Sequence, residues 1–323
     1  MKAYLKPFEF TCDFPRVRDF LSWTYGHYQS SVNWRIERWE YAFGFVAPFL
    51  ANWCEDPPLQ ESVDRAMQFM DEHTGLWETE NGDVAGVVSI EHADRTHPGF
   101  CEFFIQRHPV HLELLPEMLD YAEKRLLDPG KKHLFIYVDP KDADLVPVLE
   151  ARGFRVDPDK TGIESAFDLV GQPLPDTPNL PEGFRLQSMA DDNDLVKRCK
   201  AFGTGFNHPD PLEWPSLISY DQLQQMPDYH PEQDIVVVAP DGEFAAFSLI
   251  WYDAPNKMAS LEPVGTQPEY RRMGFAREAI YEGARRMKRK GAERLIVGSD
   301  QQFYKAIGFK PMEYRIRFEK YYT

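Results

Sequence analysis

Residues 261–309 read L-E-P-V-G-T-Q-P-E-Y-R-R-M-G-F-A-R-E-A-I-Y-E-G-A-R-R-M-K-R-K-G-A-E-R-L-I-V-G-S-D-Q-Q-F-Y-K-A-I-G-F. The opening residues are strand-like, but Pro263 and Gly265 both weaken regular pairing, so the strand belongs at an edge or carries a bulge. A turn at Pro268 and Glu269 then feeds R-R-M-G-F-A (271–276), a glycine-containing loop that starts a helix. Phe275, Ala276, Ala279, Ile280, Ala284 and Met287 fall on one face of that helix. Lys288, Arg289 and Lys290 make a basic last turn before Gly291. The first turn of such a helix presents backbone N–H groups without partners at the positive end of its dipole, an anion site suited to a diphosphate. A second strand (294–297) and a short helix ending in Gly308-Phe309 follow.

Before this stretch, residues 184–189 read as a strand and 191–202 as a helix capped by Asp191 or Asp192. Residues 203–230 read as a long loop rich in aromatics and prolines. The segment 234–240, the turn Asp241-Gly242 and the segment 243–252 make a hairpin, followed by a strand over 258–266. Further upstream, G-Q-P-L-P-D-T-P-N-L-P-E-G (171–183) holds four prolines that favour a stiff, extended connection. The expected division is therefore a domain over 1–170, a linker over 171–183 and a second domain over 184–323.

The first half repeats the same order. Residues 75–80, Asn81-Gly82 and residues 83–91 make a hairpin, 99–106 a strand, a helix starts near Pro116, and 132–138 make a buried strand. V-L-E-A-R-G-F-R (148–155) aligns register for register with F-Y-K-A-I-G-F-K (303–310). Where the second half has its glycine loop, however, the first has R-H-P-V-H-L-E (107–113), which lacks a glycine and in which Pro109 lacks an N–H. Leu149 stands where the second half has Tyr304.

The set formed by the strand, the [Q/R]-x-x-G-x-[G/A] loop with Arg271, Gly274 and Ala276, and Tyr304 four residues before Gly308-Phe309 resembles the GNAT superfamily of acyl-CoA-dependent N-acyltransferases. The resemblance implies an α/β fold of two tandem GNAT-like domains, each a mostly antiparallel mixed sheet splayed at its fourth strand and flanked by helices. The first domain is read as degenerate and the second as the working one. It further implies that acetyl-CoA binds with its pantetheine along the backbone of Val264 and Thr266. Its diphosphate would lie on the amides of Arg272, Met273, Gly274, Phe275 and Ala276, with one arginine side chain, Arg271 among them, available to a phosphate. The Val264 N–H would polarise the thioester carbonyl. Tyr304 is the candidate general acid for the leaving thiolate, the alternative being a tyrosine packed beneath the cofactor. The family often carries an asparagine upstream of this tyrosine, whereas Ser299 and Asp300 stand here.

Glu262 is the candidate general base, placed two residues before Val264 on the same strand face, the alternative being a structural ion pair. On the acceptor side, the loop 203–230 reads as a lid, with His208 a contact or second base. Asp253 either lines the acceptor pocket or only serves its hairpin. The acceptor implied by resemblance to tandem GNAT proteins is the primary amine of a small molecule. A non-catalytic CoA-binding module and the transfer of another acyl group stand as alternatives, and neither acyl length nor oligomeric state is legible.

Composition sets outer bounds. The chain has 323 residues, 43% of them hydrophobic and 14% aromatic, long enough for two globular domains. Its net charge of −16 argues against a nucleic-acid surface, which needs a basic face, and is compatible with a cationic substrate. Cys12, Cys54, Cys101 and Cys199 lie far apart, so no disulfide framework or zinc knuckle is suggested and a reducing cytoplasm fits. His108 and His111 are spaced as metal ligands are, but Pro109 stands between them and no third ligand accompanies them, so no metal is expected. The N-terminus lacks the apolar core of a signal peptide and no apolar run is long enough for a bilayer, so no membrane association is expected.

Overall fold

The computed structural model describes residues 2–30, 34–47, 59–93, 95 and 97–323. The fold is mixed α/β, with antiparallel and mixed sheets flanked by helices, in two compact units. One takes the described residues before Glu164 together with Glu313–Thr323; the other is Glu164–Met312. These bounds differ from the expected ones: residues 164–170 fall in the second unit and the last eleven residues in the first. The proline-rich segment 171–183 carries no helix or strand.

In the first unit, β1 (Ala3–Pro7), β2 (Gly75–Thr79), β3 (Val84–Ile90) and β4 (Phe103–Arg107) form an antiparallel sheet in that order. The β2–β3 hairpin turns at Gly82, whose φ of 86° is the left-handed value that the Asn-Gly pair supplies. Helices α1 (Phe10–Tyr28), α2 (Ile36–Tyr41) and α3 (Leu59–Glu72) lie between β1 and β2 in sequence. Phe8, Phe14, Trp39 and Phe43 pack against one another beneath them, with Phe14 and Trp39 stacked at 5.2 Å. Then come α4 (Leu115–Tyr121), with Pro116 in its first turn as expected, β5 (His133–Val138) and α5 (Leu145–Ala151). β5 pairs antiparallel with Ile316–Tyr321 at the far C-terminus of the chain.

In the second unit, β7 (Arg185–Ser188), β8 (Asp234–Val238), β9 (Phe244–Asp253) and β10 (Met258–Thr266) are successive antiparallel neighbours, and β11 (Arg294–Val297) lies parallel to β10. The strand beyond β11 is the end of β6 (Arg155–Asp168), through Ser165–Asp168. After residue 309 a single long strand forms, β12 (Lys310–Tyr321). Sheet neighbours are chosen by long-range backbone pairing, which a local pattern does not encode.

Helix α6 (Leu195–Gly205) starts later than expected, because Asp194, not Asp191 or Asp192, is the cap, its carboxylate accepting from the Lys197 N–H. Asp191 is held instead in the preceding turn by the Ser188 N–H and hydroxyl. Residues 203–230 are not a structureless loop: they contain α7 (Leu217–Gln224), capped by Ser216, whose hydroxyl accepts from the Ser219 N–H at 3.1 Å. That serine was the available signal, masked by the surrounding prolines and aromatics. Helix α8 (Phe275–Lys290) runs as expected to Gly291, whose φ of 94° closes it. It presses so closely on β9 that a Cβ at Gly283 would lie 1.8 Å from Ile250 Cδ1. Ile250, Leu261, Ile280, Ala284, Met287, Leu295 and Phe309 form the core below it.

Candidate active site

The site grows from a defect in β10. Its first residues pair with β11, but only over Met258–Ser260, so the rest of the strand is open on that side. On the β9 side the register slips between Leu261 and Val264, where two residues of β10 oppose one of β9, and the Glu262–Pro263 peptide is cis. This is the bulge that Pro263 and Gly265 forecast. Beyond it, the Gln267 N–H donates to Ala245 O at 3.0 Å, which makes Gln267 and Ala245 a hydrogen-bonded pair. Antiparallel pairs alternate, so Gly265 also bonds β9, while Val264 and Thr266, opposite Ser248 and Ala246, turn their backbone groups outward. Gly265 is required here, because a Cβ would lie 2.4 Å from the Phe247 ring.

The loop after β10 folds back into α8 through a short 3-10 turn (Pro268–Tyr270). Arg272 and Gly274 both take left-handed backbone angles, φ 67° and 86°, which swing the peptide planes between them. No side chain caps α8, and the first of its amides to reach a helical carbonyl is that of Glu278, on Gly274. The amides of residues 272–276 thus face the turn in which an anion sits at a helix N-terminus. Arg271 behaves differently from a phosphate ligand: its guanidinium donates to Thr266 O (Nε, 3.2 Å) and Gly205 O (Nη2, 3.0 Å), tying the loop to β10 and α6. Arg272 and Met273 are exposed, and Arg277 is engaged with buried Glu278 at 2.7 Å. The residues present fit a diphosphate.

Tyr304 lies in α9 (Gln302–Ala306), packed edge-on to Phe309 at 5.6 Å and to Phe303 at 5.0 Å. Burial, and after it the negative charge of Glu262, pushes its phenol up to about 12. The charge of Glu262 thus acts on the phenol from 42 positions earlier in the sequence. Glu262 itself lies in the bulge between Leu261 and Val264, so simple alternation along the strand does not put it on one face with Val264. The Trp251 indole, not singled out from the sequence, donates to Glu262 O at 2.7 Å and fixes the bulge.

The two residues expected on the acceptor side each have partners of their own. Asp253 is buried at the β9–β10 turn, opposite Met258 at the start of β10, and accepts from the Asn256 side chain at 2.7 Å. His208 follows α6 and pairs with Glu213 at 3.4 Å. What holds residues 203–230 was missed: Arg198, fully buried, donates to Asp234, which also accepts from Tyr220 (3.0 Å) and Tyr229 (3.3 Å). Arg198 further stacks 3.9 Å over Phe247, the ring beneath Gly265. A lone arginine in an amphipathic helix carries no signal of this role.

The matching segment of the first unit is built otherwise. After β4, the His108 amide donates to Ala85 O, that of Val110 to His108 Nδ1, that of His111 to His108 O and that of Leu114 to His111 O. Its amides are taken by its own chain. Leu149, at the position of Tyr304, is buried in the core. Among the described residues no group of three potential metal ligands converges, and no helix is long and apolar enough to cross a membrane.

Residues 201–309 match the family model of the acetyltransferase (GNAT) family. A GCN5-related N-acetyltransferase from Sphaerobacter thermophilus aligns over 99% of this chain and 95% of its own at 16% identity, with a TM-score of 0.56. A tandem GNAT protein from the clavulanic acid biosynthesis pathway aligns over 99% of this chain and 98% of its own at 13% identity and a TM-score of 0.57. A GCN5-related glucosamine N-acetyltransferase region in a fungal multi-domain β-N-acetylglucosaminidase covers 98% of this chain and 38% of its own, at 14% identity and 0.56. No curated protein matches the sequence. At these identities the likeness to solved structures is one of fold. The open edge of β10 and the uncapped start of α8 both lie within residues 201–309, the part that matches the acetyltransferase (GNAT) family, and the fold is shared along the chain with a tandem GNAT protein.

Proposed function

We propose that the second unit is an N-acetyltransferase moving the acetyl group of acetyl-CoA to the primary amine of a small molecule, by direct attack in a ternary complex. The observation that carries this reading is the outward-facing backbone of Val264 and Thr266 on the unpaired half of β10, next to the open amides at the head of α8. Acetyl-CoA, when bound, supplies an activated thioester. The amides of residues 272–276 hold its diphosphate. The outward carbonyl of Val264 and amide of Thr266 orient its pantetheine, and the Val264 N–H polarises the thioester carbonyl, a contribution on the order of 3 kcal/mol in the transition state. Glu262 receives the proton that the acceptor amine releases as its nitrogen bonds the acetyl carbon. Tyr304, still protonated at neutral pH, gives its proton to sulfur as the C–S bond breaks. The Arg198–Asp234–Tyr220–Tyr229 network holds α7 against β8 and so shapes the acceptor side.

The test is acetyl-CoA turnover, followed as free thiol, across polyamines, amino acids, aminoglycosides and peptides. Saturable thiol release with one class of small amine, with a matching gain of acetyl mass, is the expected result. CoA binding without release across the panel would leave a binding module, and release only with another acyl donor would change the acyl group.

A further inference from the structure

The donor edge proposed on β10 has a neighbour that the proposed reaction leaves unused. Helix α6 ends at Gly205, where a Cβ would lie 3.5 Å from the Thr266 nitrogen and 3.7 Å from Gly265 Cα, and the Gly205 carbonyl accepts from Arg271 Nη2 at 3.0 Å. The next residue, Phe206, is therefore held beside that edge. Its ring lies 4.6 Å from that of Phe202 and 6.3 Å from that of Phe247, and Phe247 is the ring beneath Gly265. The segment after it is folded back on the helix. The His208 amide donates to Gly203 O at 2.9 Å, the Trp214 indole donates to His208 O at 2.9 Å, and a Cβ at Gly203 would lie 2.0 Å from the Trp214 ring. The place of Phe206 is thus set by the fold.

Even so, the ring is left 42% exposed. A phenyl group that already packs on two rings gains from a third apolar group on its open side, because that contact buries apolar area and adds a favourable ring geometry. The surrounding charges bear on the other end of such a ligand. Between Lys200 and Lys257 the chain carries nine carboxylates and no lysine or arginine, and Asp210 and Glu213 stand exposed a few residues after Phe206. The two guanidiniums that reach this region are engaged, Arg198 by Asp234 and Arg271 by the Thr266 and Gly205 carbonyls. A ligand carboxylate here would face a field of its own sign, whereas an ammonium enters one of opposite sign.

We propose that Phe206 determines acceptor specificity, its exposed face holding the apolar body of a primary amine that carries an aromatic or alkyl group and no carboxylate. This rests on the acetyl-transfer reading above and names its substrate class. With the full chain and acetyl-CoA, followed as free thiol, kcat/KM should be at least about tenfold higher for 2-phenylethylamine than for ethanolamine, which lacks the ring, or phenylalanine, which adds a carboxylate. Phe206→Ala should raise KM for 2-phenylethylamine roughly tenfold, with kcat held within a few-fold, and reduce the preference over ethanolamine by the same factor, while Phe206→Tyr keeps that preference. With CoA in place of acetyl-CoA, so that nothing turns over, calorimetry should show 2-phenylethylamine binding that weakens to the same extent in Phe206→Ala. Such binding without thiol release from acetyl-CoA would keep this site and remove the acetyl-transfer reading. Preference for ethanolamine or phenylalanine, or a Phe206→Ala variant that retains either the preference or the binding of the parent, would overturn the inference and leave that reading standing. Neither binding nor release would overturn both.

Discussion

At the scale of single residues, the proposed reaction uses Tyr304 and Glu262, which stand 42 positions apart in the sequence. Because the Tyr304 phenol is raised to about 12, it carries its proton through the whole physiological range, as a donor to a departing thiolate must. Tyr304→Phe is expected to lower kcat by about 10²- to 10⁴-fold, the usual worth of a general acid, with acetyl-CoA affinity held within a few-fold. An unchanged kcat under saturating acceptor would remove Tyr304 from the reaction. Glu262→Gln should depress kcat/KM most at low pH, where the acceptor amine is most protonated, and rising pH should recover part of the loss. If the side chain only braces the bulge, the melting temperature falls and the pH profile keeps its shape. Tyr304 was legible because a motif marks it. The Glu262 assignment rested on strand alternation, which the bulge invalidates, and what joins it to Tyr304 is the effect of its charge on the phenol.

Elements were legible where the signal is local. The long apolar face of α8, its basic last turn and Gly291 specify that helix from sequence alone, and Asn81-Gly82 and Asp241-Gly242 specify two hairpins with left-handed glycines at 86° and 89°. Helix α7 was not legible, since eight residues with an ill-defined apolar face depend on the buried Tyr220–Asp234 bond rather than on their own periodicity. The loop into α8 yields a prediction at this scale. Gly274→Asp sets a carboxylate into the open amides at a backbone φ of 86°, and should abolish acetyl-CoA binding while α8, packed through Ile280, Ala284 and Met287, stays folded. In the parent chain, calorimetry should find one molecule of acetyl-CoA per chain, because the amides after β4 are already bonded to their own chain. Two sites per chain, or a variant that still binds, would contradict the assignment of the cradle.

For the whole molecule, the unexpected feature is the membership of the C-terminal residues. Glu313–Thr323 belong to the first unit, where Ile316–Tyr321 pair with β5, buried Phe318 faces its core, and Lys320 and Tyr322 bond Glu123 at 2.5 and 2.9 Å. A chain ending at Met312 should therefore lose hydrogen-exchange protection over His133–Val138, and aggregate through the exposed β5 edge, while β8 and β9 stay protected. Loss of protection in β8 and β9 instead would place the terminal strand with the second unit. The sequence by itself determined the α/β class, the duplicated element order, the glycine loop that starts α8 and the tyrosine, because each follows from periodicity, turn chemistry or backbone donors within a few residues. Only the tertiary structure decided which strand lies beside which, that Arg271 holds carbonyls, and that Glu262 sits in a bulge from which its charge acts on Tyr304, because those outcomes rest on backbone pairing and burial between segments far apart in the chain.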